Sequence, residues 1–173
     1  MHQREAVFTV PAAPEVVWRF IRDFESLCAC VPGVEQLRGV DDATAEMTVV
    51  EKIGVVPLRV EFTAHIDAED PPHSLHAVAK AEHVDVEIDV RLHATGQGTE
   101  LASQVKVIGR GPLKPIIDRL FERRATERTA EFAGLLESRF GKTSKPEHMR
   151  EPFPAKGKMV RAWQWLLTLL GFK

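Results

Sequence analysis

Arg124 and Arg128 lie one helical turn apart, between Phe121 and Phe132, in a stretch whose apolar residues recur at helical spacing. That phase turns two guanidinium groups toward the side of a helix that should face the protein's own interior. A cation held there costs several kcal/mol unless it is paired. Three arrangements answer that cost: a hydrogen bond to a ligand's carbonyl or anionic head group, an ion pair with an inward acid such as Glu51, or snorkelling past the edge of a sheet. General acid/base catalysis would need further polar groups on the same inner face. Ser103, Glu51 and the two arginines are nearly all it offers, and the chain has no Tyr, so no catalytic residue is assigned and a non-enzymatic role is expected. The seven histidines form no H-x-x-x-H or H-E-x-x-H pattern, and His65 and His93 fall on the polar phase of strands, so no metal site is expected. Cys28 and Cys30 have neither redox nor zinc-framework spacing and read as free thiols, buried or half-buried. No G-x-S-x-G, Walker A or Rossmann fingerprint is present; Gly109-x-Gly111 reads as the turn into a helix.

The elements that must position these residues are legible from the period of the apolar pattern. Leu58, Val60, Phe62, Ala64 and Ile66 alternate with polar residues, as do Val84, Val86, Ile88, Val90 and Leu92, which predicts two strands with one buried face. Shorter runs at 6–10, 34–38, 45–52, 74–82 and 99–108 predict five more, separated by turn residues such as Asp41-Asp42 and Gly96-Gln97-Gly98. Pro14, followed by Val16, Val17, Phe20 and Ile21, predicts a helix, and a second short one covers Glu25 to Cys30 before Pro32 and Gly33 stop it. From Gly111-Pro112 the period is helical to about Phe140, with Leu113, Ile116, Ile117, Leu120 and Phe121 as the first half of an apolar stripe and Phe132, Leu135 and Leu136 as the second. The resulting fold class is α+β: a curved antiparallel meander of about seven strands gripping a long C-terminal helix.

The space between helix and sheet is either core or cavity. Its expected lining is apolar: Met47 and Val49; Leu58, Val60 and Phe62; Val86, Ile88 and Val90; Val105 and Val107; and Ile117, Leu120 and Phe121 from the helix, with Arg124 and Arg128 as polar members.

Net charge is −2 overall, but residues 142–173 carry +5 and residues 1–141 carry −7. An acidic body lacks the concentrated basic footprint that nucleic acid requires, whereas a short basic tail suits an anionic membrane face. Residues 1–140 are expected to form the ligand-binding domain, 141–157, with Pro146, Pro152 and Pro154, a flexible linker, and 158–173 an amphipathic helix. On such a helix Met159, Val160, Trp163, Leu166, Leu167 and Leu170 share one face, with Trp165 on its flank. Lys156, Lys158 and Arg161 supply headgroup-level cations. The apolar run falls short of the roughly 20 residues that span a bilayer, so it is expected to lie on the membrane surface. The competing arrangement, docking on its own domain or a partner's groove, uses the same face. MHQREAVFTV has no cationic start followed by a long apolar run, so the cytoplasmic face of the cell membrane is the expected location.

Several local motifs add a resemblance. VPAAPEVVWRFIRDFESLCACVPGVEQL at residues 10–37, the Asp70-Pro71-Pro72 turn, Gly98-Thr99-Glu100-Leu101 and Gly111 before the last helix resemble the CoxG family of carbon monoxide dehydrogenase subunits. That family belongs to the helix-grip superfamily of START-type lipid carriers and polyketide cyclases. The sequence departs from the pattern at Lys80-Ala81-Glu82-His83, charged where small residues and glycine are expected. The resemblance implies a protein that ties a molybdenum-type CO dehydrogenase to the membrane, with a pocket for a lipophilic ligand such as an isoprenoid quinone, menaquinone for example, that accepts the electrons. The mouth of the pocket is expected near Pro32-Gly33 and Gly109 to Pro112. A cyclase- or hydrolase-like enzyme using the same cavity and a ligand-free adaptor remain the alternatives.

Overall fold

A computed structural model describes residues 2–142 except 30, 32 and 54, with backbone alone at 53, 122–125, 127 and 128. The expected linker and the tail from residue 143 onward lie outside the described residues, as do Cys30, Pro32 and the side chains of Arg124 and Arg128.

Seven strands form one antiparallel sheet: β1 (His2–Val10), β2 (Val34–Asp41), β3 (Thr44–Ile53), β4 (Val56–Asp70), β5 (Ser74–Lys80), β6 (Val84–Thr95) and β7 (Gly98–Gly109). Their spatial order is β1-β7-β6-β5-β4-β3-β2, so β2 to β7 make a meander and β1 closes its far edge. The predicted period-two runs are the cause: in β6, Val86, Ile88 and Val90 are fully buried on one face, as a pleated strand with one covered face requires. Two short helices, α1 (Pro14–Arg22) and α2 (Phe24–Ala29), carry the chain from one edge of the sheet to the other. Val17, Trp18 and Ile21 of α1 and Phe24, Leu27 and Cys28 of α2 are buried beneath the sheet.

The long helix α3 (Lys114–Phe140) follows a single 3-10 turn at Gly111–Leu113 and packs chiefly on β1 and β7. Ile117, Phe121, Phe132 and Leu136 are its buried stripe. Phe132 meets Phe8 of β1 edge to face at 5.4 Å between ring centroids. Thr129, a polar residue absent from the predicted stripe, is also buried there.

Two of the motif segments meet in space. Gly98 opens β7 with φ +134°, and a Cβ there would lie 2.2 Å from the Val10 carbonyl oxygen, so only glycine lets the β6–β7 turn approach the end of β1 so closely. The Thr99 hydroxyl donates a hydrogen bond to the Ala12 carbonyl at 2.6 Å. The turn is thereby fastened to the segment that leads into α1.

On the outer face of the sheet, His76 and Asp89 are direct cross-strand partners, joined by a 2.5 Å hydrogen bond and mostly shielded from solvent. That hydrogen bond to Asp89 raises the His76 pKa, with the charges of Asp89, Asp67 and Glu87 adding to it and burial opposing. Because the folded-state value exceeds the unfolded one, about 6.5, the stabilisation is fully present below the unfolded value and is lost as pH rises through the folded one. Urea unfolding of wild type and His76→Asn across pH 5 to 9 should show a stability difference that is largest at the acid end and shrinks toward the alkaline end.

Candidate functional site

The inner face of β4 changes character along its length. Phe62, Ala64 and Ile66 are buried, but Leu58 and Val60, in the same phase nearer the β3–β4 hairpin, are only half-buried. In register, Glu51 lies opposite Leu58, Val49 opposite Val60, and Met47 opposite Phe62. The first turns of α3 show the same loosening: Ile117 is buried while Leu113, Ile116 and Leu120 are half-buried. Apolar side chains on facing elements that fail to close on one another leave a space between them.

That space has a volume of about 330 Å³, at the lower end of the range of small-molecule pockets. Leu58, Val60 and Phe62 of β4 and Leu113, Ile117 and Leu120 at the start of α3 form its apolar wall. Glu51 of β3 and the segment Ala81 to Val84 at the β5–β6 turn complete it, with Arg59 and Glu61 at the side. Of the residues expected from sequence, the structure therefore brings Leu58, Val60, Phe62, Ile117 and Leu120 together. Met47, Val49, Val86, Ile88, Val90, Val105 and Val107 are packed in the core at 3% exposure or less and do not line the cavity. Phe121 is buried and turned to β1, its ring 4.7 Å from that of His2. The functional side-chain assignments for Arg124 and Arg128 lie outside the described residues.

The polar groups of the cavity are Glu51 and the charged rim. Glu51 is 1% exposed, a position where a carboxylate has to be paired, hydrogen-bonded or protonated. The rim is built by hydrogen bonds that tie the β5–β6 turn to the residues leading into α3. The Arg110 amide donates to the His83 carbonyl at 2.7 Å and the Ala81 amide to the Val84 carbonyl at 2.9 Å. The Arg110 guanidinium reaches Asp85 at 2.7 Å. The start of α3 is in turn held to β1 through a 2.9 Å contact of His2 with Asp118. The His83 side of the lining thus lies beside Arg110; Gly33 is not among the described lining residues, and Pro32 lies outside the described residues. Val50 instead donates its amide to the Gly33 carbonyl at 2.9 Å, tying Gly33 to β3.

His83 and Glu82 were not expected in the lining, because a turn of mixed charged residues carries no periodic signal. Their position in the departure segment 80–83 means that this side of the rim is polar where small residues were expected. Among the described residues, no three His, Cys, Asp or Glu side chains converge as a metal site.

A curved seven-stranded antiparallel sheet closed on a long C-terminal helix, with two small helices between the first strands and a cavity beside the long helix, defines a helix-grip protein. The profile of CoxG, a subunit of carbon monoxide dehydrogenase, matches residues 7–139, and the chain belongs to that family. Among solved structures, it is similar to a conserved protein from Geobacillus kaustophilus at 18% identity and a TM-score of 0.55, over 80% of this chain and 90% of that one. A Deinococcus radiodurans protein matches at 15% identity and TM-score 0.52, over 63% and 84% of the two chains. The di-domain ARO/CYC StfQ from the steffimycin biosynthetic pathway matches at 10% identity and TM-score 0.55, over 80% of this chain and 50% of that one. At these identities the likeness is one of fold. No curated protein matches the chain by sequence.

Proposed function

We propose that the chain is a membrane-tethered, non-enzymatic carrier that binds an isoprenoid quinone and couples a molybdenum-type CO dehydrogenase to the bilayer. The observation that carries the ligand is the cavity of about 330 Å³ walled by Leu58, Val60, Leu113 and Leu120. Half-exposed apolar side chains beside open space are stabilised by any apolar group that fills it. Glu51, Glu82 and His83 give the lining a polar side beside that apolar wall. Family membership supplies the partner enzyme, and the sequence of residues 156–173, with its tryptophans and cations, supplies the membrane contact.

The geometry of the domain sets what the linker must do. The cavity lies at the N-terminal end of α3, and the tail leaves its C-terminal end; a 27-residue helix is about 40 Å long. Residues 141–157, fully extended, reach at most about 60 Å, enough for the tail and the cavity mouth to meet one bilayer.

Native mass spectrometry of the full chain purified from its own membranes should show bound isoprenoid quinone; a preparation with no apolar ligand would remove this reading. Deleting Met159 to Lys173 should abolish liposome flotation while leaving quinone affinity unchanged. Loss of both would assign the tail to the pocket as well.

A further inference from the structure

The hairpin that walls the cavity ends in a feature that its own folding does not explain. Val55, at the β3–β4 turn, is 97% exposed and Val56 is 62% exposed, although apolar β-branched side chains gain nothing from water at a strand end. Val56 shares the inner phase of β4 with the residues of the cavity wall. Exposure along that phase falls from 62% at Val56, through half-buried Leu58 and Val60, to 3% at Phe62. These apolar side chains share one face of β4, from solvent at Val56 to Phe62 in the cavity lining. Just behind the tip, Lys52 and Arg59 are exposed; Arg59 also bridges Glu35 at 2.8 Å.

We infer that the β3–β4 hairpin tip is a second membrane contact, which inserts Val55 and Val56 into a lipid surface and lets an apolar chain pass along Val56, Leu58 and Val60 into the cavity. An apolar apex with cations just behind it matches the layering of an anionic bilayer, hydrocarbon beyond headgroup. A flat protein partner would leave the narrow tip largely uncovered. The cavity is small enough that a long prenyl chain extends beyond it, and the track along that face of β4 is where that chain would lie. This inference rests on the ligand-carrying role proposed above.

The test uses the full chain and the Val55→Asp variant, which leaves the track along Val56 intact, with phosphatidylcholine/phosphatidylglycerol vesicles containing menaquinone. Transfer of menaquinone from vesicle to protein should slow at least about tenfold in the variant. Affinity for menaquinone presented in detergent should stay unchanged, and Val55→Leu should transfer at the wild-type rate. Equal transfer rates, or a loss of detergent affinity that matches the loss of rate, would overturn the inference. So would normal transfer combined with lost binding to the CO dehydrogenase, which would make the tip a protein contact. A wild-type chain that takes up no menaquinone in either format would instead overturn the carrier reading itself.

Discussion

Val60→Trp should abolish quinone binding while leaving the fold intact. Val60 lines the cavity and is half-buried beside fully buried Val49, its cross-strand partner. The indole would enter open space, and β-strand backbone accepts an aromatic residue readily. Affinity should fall at least about 100-fold, equivalent to about 2.7 kcal/mol, as measured by titration with menaquinone in detergent, and the thermal midpoint should move by no more than a few degrees. The same substitution at Val86, which is 0% exposed, meets a filled core and should cost about 1–3 kcal/mol of stability or more. If both variants lose stability alike, the space beside α3 is not free volume. If Val60→Trp binds as wild type does, the ligand lies elsewhere.

The largest stability effect is expected from Phe132→Ala. Phe132 is 1% exposed and Phe8 is 0% exposed, and their edge-to-face contact locks the second half of α3 to the edge strand β1. Truncation removes the ring's burial and leaves a void that an antiparallel sheet cannot collapse into, for a loss of about 3–5 kcal/mol. Set against a typical total of about 5–15 kcal/mol, that is a large share. For a chain of this size it corresponds to a fall of about 10 °C or more in Tm, readable by calorimetry. The cavity lies at the opposite end of the helix, so quinone affinity of the folded fraction should change little.

How much of this was legible beforehand follows from the physics of each feature. The strands at 58–67 and 84–93 could be read because a sheet with one covered face imposes an apolar period of two on local sequence. The long helix could be read because burying one face imposes a period of 3.6. Short turns between successive strands then leave the meander as the natural pairing, and the family motifs are contiguous stretches of sequence. The same information marks Val60 and Val86 as equivalent: both are inward, apolar and β-branched. Only the tertiary structure separates them, because whether an inward residue meets a neighbour or a void depends on where α3 crosses the sheet. That crossing is set by long-range contacts such as Phe132 on Phe8 and His2 against Asp118, 116 positions apart in the sequence. It closes the core over β1 and β7 and leaves the β4 end of the grip open. His83 enters the cavity wall for the same reason, since its place is fixed by Arg110 on a distant strand end, and no local pattern records that. The sequence by itself therefore determined the architecture and the family, both encoded in local periodicity and motif. The tertiary structure alone decided which inward residues are core and which are cavity, because free volume is a property of packing between elements and not of any one of them.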